Sequence, residues 1–378
     1  MKKKRFLLTL TTIGLLYQTN IYAQELEDFI KEVDISGTLS YRYNDYETDK
    51  KAGKTQNFYK LALNVSKKIN ENVTLNTRFL GERFSINTGK QADEGIDINL
   101  SEVNFLYTGI KDLSITFGKQ AIYSPWTTPR DAMGDENTGT GIYAVYNKDV
   151  LTLSAAYFNQ TNFNKAEIST WNGIKGIDGS EDLAIISAYL NLPYLSLDLA
   201  YSDLEDIYDS YSIGLNSNFK FTNISISTFT RYTSLDLDNS NKDNSLWQIG
   251  LIAKKGIYSL FTAYGQTNKE GGKVSIDTSA KTNMDYGWRI TASNDADAKY
   301  FYISTNANVT TSTNLGIYYS SANYGSNSRK EAKDLTNIYL QIKYKMSKNL
   351  ISYLRYGTLK TQDEGTGNVG RLNIQYSF

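Results

Sequence analysis

From Val33 onward, apolar and polar residues alternate with a period of two. In VDISGTLSYRY the odd positions carry Val33, Ile35, Gly37, Leu39, Tyr41 and Tyr43, and the even ones Asp34, Ser36, Thr38, Ser40 and Arg42. The same split recurs in YKLALNV (Tyr59, Leu61, Leu63, Val65), VTLNTRF (Val73, Leu75, Thr77, Phe79) and WQIGLIA (Trp247, Ile249, Leu251). It returns in IYLQIKY (Ile338, Leu340, Ile342, Tyr344) and in the terminal RLNIQYSF (Leu372, Ile374, Tyr376, Phe378). Successive strand residues point to opposite faces, so each segment has one apolar and one polar face. A soluble sandwich alternates too, and length separates the two cases. Many of these segments run about ten residues, the reach of a tilted strand across a bilayer. Strands of soluble sheets run about five or six.

The connections are unequal in an ordered way. Tight polar turns at 69–72, 109–112, 192–194, 220–223 and 346–349 sit between long Gly-, Asn-, Asp- and Lys-rich stretches. The long ones fall at 44–56, 85–97, 122–139, 161–181, 235–245, 267–296 and 323–334. That ordering predicts an all-β fold, a transmembrane antiparallel up-and-down β-barrel with short turns at one rim and long loops at the other. Nineteen strand candidates can be counted, but a chain entering and leaving at the short-turn rim needs an even number. The segment 299–308 with its turn at 309–312 already supplies the descending strand, so DYGWRITA (285–292) is assigned to the long loop. Eighteen strands result, with sixteen as the alternative. The stretch QELEDFIKEVD places Leu26, Phe29, Ile30 and Val33 at helical spacing, and reads equally as a short amphipathic helix or an irregular tail.

In hydrocarbon every backbone donor and acceptor must be paired internally, so a sheet survives there only when closed. Closure makes 369–378 the closing strand, with Phe378 at the membrane interface. The 30 tyrosines fit as interfacial girdles, with Tyr41, Tyr43, Tyr59, Tyr344 and Tyr376 at strand ends on the apolar face.

Composition narrows the chemistry. Among 378 residues there is no His and no Cys, which excludes Ser–His–Asp and Cys–His catalysis, disulfides and thiolate metal sites. No enzyme is expected. MKKKRFLLTLTTIGLLYQTNIYA has the basic, apolar and small-residue regions of a secretory signal, with cleavage expected after Ala23 and a barrel domain over 24–378. Removing Lys2, Lys3, Lys4 and Arg5 leaves 36 basic against 40 acidic residues, a net charge of −4 with no nucleic-acid footprint. Beyond residue 23 no apolar run approaches the roughly 18 residues a membrane helix needs.

LEDFIKEVDISGTLSYRYND (26–45), with FGKQAIYSPWT, GTGIYAVYN and LTLSAAYF inside 117–158, resembles the Campylobacter-type major outer membrane porins of epsilonproteobacteria. The resemblance implies an eighteen-stranded, trimeric, water-filled general porin of the bacterial outer membrane. It implies that the third loop, 122–139, folds into the lumen and narrows it. It also implies that the terminal NIQYSF is recognised by the outer-membrane assembly machinery, with Leu372, Ile374, Tyr376 and Phe378 carrying the apolar face.

That third loop, YSPWTTPRDAMGDENT (123–138), carries Arg130, Asp131, Asp135 and Glu136. Facing basic wall candidates Arg42, Arg78, Arg231, Arg355 and Arg371, its acids would set a transverse field that sorts ions. Read otherwise, these charges are merely solvated in the lumen, or some belong to a trimer axis. A loose Ca²⁺ site on Asp131, Asp135 and Glu136 stays open. DLDNSNKDNSLW fails as a calcium hand, having Asn241 where Gly is needed and Trp247 where Glu is needed. GTGIYA (139–144) opens a strand, so it is no dinucleotide fingerprint. The expected function is a general diffusion porin for ions and small hydrophilic solutes, with a mild cation preference. The competing class is a surface adhesin or structural barrel with a plugged lumen. Ser, Thr, Asn, Lys and Arg dominate the polar face with few bulky apolar intruders, which favours the open lumen.

Overall fold

The computed structural model describes residues 32–87, 96–170, 174–292, 294–325, 334–362 and 365–378. The signal segment and most of the candidate helix lie outside these residues, and Val33 already opens the first strand. The strands are β1 (Val33–Thr48), β2 (Lys51–Asn70), β3 (Val73–Asn87), β4 (Asp97–Ile110), β5 (Leu113–Ala121) and β6 (Thr138–Lys148). Next come β7 (Leu151–Thr161), β8 (Leu183–Asn191), β9 (Leu195–Leu204), β10 (Tyr208–Lys220), β11 (Ser225–Leu237) and β12 (Asn244–Lys255). The last are β13 (Tyr258–Thr267), β14 (Lys299–Asn308), β15 (Thr313–Asn323), β16 (Asp334–Lys345), β17 (Leu350–Thr361) and β18 (Gly365–Ser377). One helical turn, Glu167–Thr170, interrupts the pattern.

Each strand pairs antiparallel with its sequence neighbours, and β18 returns to β1 from Thr38↔Ser377 to Thr48↔Gly367. The eighteen-stranded sheet is therefore closed, with no edge left to satisfy. Residues 285–292 lie in the β13–β14 loop, as the even-number argument required.

Two connections differ from the sequence expectation. Residues 44–56 form no loop: β1 and β2 run on through them and turn at Asp49–Lys50. Asp49 holds this turn by accepting from the Thr366 N–H at 2.9 Å and donating its own N–H to Thr366 O at 3.2 Å. Polar composition there reflects a strand pair standing in water, not a break in pairing. The β9–β10 connection at 205–207 is also short, closed by Asp206 in the left-handed region (φ 57°).

The faces are inverted relative to a soluble protein. On β10, Tyr211, Ile213, Leu215 and Phe219 are exposed, whereas Ser210 and Ser212 are buried. An apolar exterior of this extent needs lipid, not water, as its solvent. Tyr211 and Phe219 lie eight positions apart on one strand, about 26 Å along it, and bracket an apolar band of roughly the height of a barrel's lipid-facing belt. One β-bulge repairs the pattern where the sequence slips. Arg78 pairs with Glu102 but Phe79 pairs with Leu100, leaving Ser101 as the extra residue. Leu100 therefore faces out and Glu102 faces in, beside Arg78.

Candidate functional site: the charged bore and its two inward loops

The β5–β6 loop (122–137) crosses the inner face of β2, β3 and β4, and Glu136 pins it there. Arg78 donates from Nε to Glu136 Oε2 at 2.8 Å and from Nη2 to Oε1 at 2.7 Å. Lys60 adds its ammonium to Oε1 at 3.1 Å. The Glu136 side chain is fully shielded (0 % exposed), so two cations compensate one desolvated carboxylate. Lys60 also donates to the Asp131 carbonyl. Arg130 reaches back to Glu102 at 2.7 Å and to Glu136 at 3.7 Å. Glu136 and Arg78 thus act as loop anchor and socket, and neither presents a charge to the lumen.

Asp131 has a second local task. Its Oδ1 accepts from the backbone N–H groups of Met133 (2.5 Å) and Gly134 (2.9 Å), closing an Asx-type turn. Asp135 has one side open to the lumen and the other crowded by protein. Burial, then the neighbouring charges of Asp277, Asp131 and Glu82, push its carboxyl up to about 7. The structure does not bring Asp131, Asp135 and Glu136 together as ligands, because Glu136 points into its salt bridges. Among the described residues no three His, Cys, Asp or Glu side chains converge on a metal position.

On the adjoining stretch of wall β1, β17 and β18 gather three arginines. Arg355 and Arg371 sit directly opposite each other in register, and Arg42 is two positions further along the β1–β18 ladder. Like charges facing across a ladder repel, and side-chain acceptors offset the cost. Arg42 Nε donates to Asn373 (3.0 Å), Arg371 Nε to Asn44 (2.7 Å) and Arg355 Nε to Gln341 (2.6 Å). Aromatic faces add to this: Arg355 lies 4.7 Å from the Tyr353 ring centroid and Arg371 lies 5.1 Å from that of Trp288. Arg231 stands apart, largely buried on β11, paired with Asp198 at 2.8 Å and bonded to Ser212 at 2.7 Å. Of the five wall candidates, three form one cluster, one anchors the loop and one belongs to a separate ion pair.

Sequence reasoning missed the larger intruder. The β13–β14 loop (268–298) also enters the barrel, where Val274, Ile276, Met284, Trp288 and Ile290 are buried. It locks onto the β5–β6 loop: Ile276 N–H donates to Trp126 O at 3.0 Å, Thr282 N–H to Pro125 O at 3.0 Å, and Thr128 Oγ1 to Asp277 Oδ1 at 2.9 Å. Burial pushes the Asp277 carboxyl up, against bonds from the Ser279 N–H and Thr128 hydroxyl that pull it down. Trp288 meets Tyr339 edge to face at 5.4 Å. The next residue, Arg289, holds φ 78°, an uncommon conformation for a long side chain, with its guanidinium 4.0 Å over Tyr46. Asp285 lies within electrostatic reach of Arg371 and Arg355; burial pushes its carboxyl up to about 7 against the pull of those two cations.

The inner wall is also less polar than its sequence suggested. Phe229, Phe261, Tyr302, Tyr318 and Tyr339 stand on the same face as the arginines, with Tyr318 stacked on Tyr339 at 4.6 Å. The seam is tight at the other rim. Phe378 and Gly37 exchange both backbone hydrogen bonds (2.9 and 3.1 Å), while Leu372, Ile374 and Tyr376 pair with Tyr43, Tyr41 and Leu39.

A closed sheet that is apolar outside, polar and charged inside, and narrowed by its own loops defines an outer-membrane channel. The chain belongs to the Campylobacter major outer membrane protein family, which it matches over residues 7–373. No curated protein sequence matches it. Its fold is similar to that of Pseudomonas aeruginosa OccK5 (OpdH), with a TM-score of 0.75 and 12 % identity over 93 % of this chain and 99 % of that one. Pseudomonas aeruginosa outer membrane protein opdK gives 0.73 and 13 % over 91 % and 98 %. Acinetobacter baumannii OccAB3 gives 0.72 and 14 % over 92 % and 99 %. At such identities the likeness is one of fold.

Proposed function

We propose that this barrel is a general diffusion porin, passing ions and small hydrophilic solutes with a mild preference for cations. One arrangement carries the reading. Asp131, Asp135 and Asp285 ride on the two inward loops, and Arg42, Arg355 and Arg371 line the wall beyond them. Opposed charges on loop and neighbouring wall, set in a narrow bore, create a local field that cations and anions feel differently. The acids of the loops and the net charge of −4 expected after signal removal tilt the balance toward cations. Single-channel recording of the refolded protein under a KCl gradient tests this. Stable steps with a cation-selective reversal potential are expected, and an anion-selective potential would remove the preference.

The reading extends to assembly. The protein works as a homotrimer, inserted by machinery that reads the strand bearing Leu372, Ile374, Tyr376 and Phe378. Chemical cross-linking of the native membrane tests the trimer, with a ladder ending at three copies as the expected result. The adhesin or plugged-barrel reading has one observation of its own, the apolar side chains that the β13–β14 loop buries inside the barrel. A barrel that inserts without conducting would favour it.

A further inference from the structure

Below the β13–β14 loop the bore holds a cavity of about 520 Å³, inside the size range of small-molecule sites, ~300–1,000 Å³. Three rings wall one side. Phe229 and Phe261 come from β11 and β13, and Tyr286 hangs from the loop, with centroids 6.2, 5.7 and 5.1 Å apart pairwise. Tyr286 is placed, not free: its hydroxyl donates to Gln248 Oε1 at 2.5 Å, and Gln248 Nε2 in turn donates to Lys281 O at 2.9 Å. Phe229 can lie flat because its cross-strand partner is Gly250. A Cβ there would stand 2.1 Å from Phe229 Cε1, so any side chain would tip the ring off the wall.

The other side of the cavity is polar in a balanced way. Arg231, paired with Asp198, forms one edge. Asn216, Lys281 and Asp285 also line it, and none of these three side chains has a hydrogen-bond partner among the described residues. Asp198 offsets Arg231, and Asp285 offsets Lys281 once it is ionised, so the charge left to select an ion is small. A second depression, running along the same wall to the short turn at 192–194, shares Asn216, Phe229, Arg231 and Lys281. The cavity therefore lies on the path through the barrel.

We propose that this cavity is a binding station for neutral ring-form sugars. A pyranose offers an apolar C–H face and a rim of hydroxyls that both donate and accept. Aromatic faces match the first, and free amide, ammonium and carboxylate groups of balanced charge match the second. An ion would gain little from so small a net charge, and an open-chain polyol has no rigid face to lay on the rings. The inference rests on the channel reading and adds a saturable step to it.

The test is current through single channels in planar bilayers, with glucose and cellobiose as ring-form probes, mannitol as the open-chain control and benzoate as an aromatic anion. Glucose and cellobiose should block in a saturable way, while mannitol lowers current only in proportion to solution conductivity. Phe229→Leu and Phe261→Leu keep an apolar side chain and lose the ring face, and each should weaken block by roughly three- to tenfold, the worth of one aromatic contact. Asn216→Ala, at a half-exposed wall position, should also weaken block by both sugars. Conductance with no saturable block by either sugar would overturn the proposal while leaving the channel intact, as would benzoate blocking more tightly than both sugars. A barrel without conductance would overturn the channel reading and this one with it.

Discussion

Arg78 holds Glu136 by two parallel hydrogen bonds of 2.8 and 2.7 Å, on the inner wall and out of reach of solvent. Fork-to-fork geometry of this kind is the strongest ion pairing a protein makes. It fixes the position of the β5–β6 loop across the bore. Glu136→Gln would leave Arg78 and Lys60 with an uncompensated buried charge, a loss of about 3–5 kcal/mol. The expected outcome is a lower thermal transition together with a larger and noisier single-channel conductance, as the loop leaves the wall.

Selectivity should respond to Asp135 and not to Asp236. Asp135→Lys adds positive charge to the inward loop without removing a turn contact, and should shift the reversal potential toward anions. Asp236 lies near the loop end of β11, between buried Leu235 and Leu237 and exposed itself, so Asp236→Lys should leave the potential unchanged. Equal shifts from both substitutions would mean that the β5–β6 loop does not control the narrowest point.

The acid cluster makes selectivity pH-dependent, with a defined sign. Asp135 has its carboxyl raised to about 7, so it is neutral below that pH and charged above it. Cation preference should therefore grow between pH 5 and pH 8, and Asp135→Asn should make the profile shallower, leaving the part carried by Asp285, whose carboxyl burial also raises to about 7. Loop docking follows the opposite trend. A raised folded-state value means that the native loops bind protons more tightly than the unfolded chain, so the stability contribution is full below the ordinary carboxylate value of about 4 and is lost as pH rises through about 7. Asp277, also raised, pushes in the same direction. Hydrogen exchange of the β5–β6 loop amides at pH 5 and pH 8 measures this, with faster opening expected at the higher pH.

The arginine cluster opposes the acids. Arg371→Gln removes one positive charge while retaining a side-chain donor for Asn44. It also relieves the repulsion from Arg355 directly across the ladder. Stability should hold within about 1 kcal/mol, and the reversal potential should move toward stronger cation selectivity.

Deleting Phe378 should weaken closure. Gly37 would lose the residue that takes its N–H and gives an N–H to its carbonyl at the seam, an unpaired backbone loss of about 1–3 kcal/mol. The fraction of heat-modifiable, inserted barrel on gel electrophoresis reads it, and a drop is expected.

The strand count and the direction of each face were legible because lipid solvates one side of every strand and water the other. Ile213 and Ser212 declare their faces by chemistry alone. What could not be read was burial inside the barrel. Glu136 and Asp135 are neighbours of like charge, and only the fold sends one into Arg78 and leaves the other at the lumen. Arg78 looks no different from Arg371 in a polar-face pattern. Two signals were nevertheless present. The run Tyr300, Phe301, Tyr302, Ile303 is apolar on both faces, which a water-filled wall would not need. The β13–β14 loop likewise carries Val274, Ile276, Met284, Trp288 and Ile290, too many apolar side chains for a loop in solvent. Each implies the other: an apolar patch on the inner wall and an apolar loop to cover it. The first long connection failed for the converse reason, since cross-strand pairing can carry polar strands well beyond the bilayer.

That extension carries one strand pair well past the apolar band. β1 and β2 run for 16 and 20 residues, so β2 climbs roughly 50 Å along a tilted axis where the apolar band takes about 25 Å. Stitched to β18 and β3 on either flank, the pair stands over one side of the mouth as a stiff parapet. The hydrogen-bonded courses beneath the crest at Asp49–Lys50 therefore brace this part of the entrance without help from lipid.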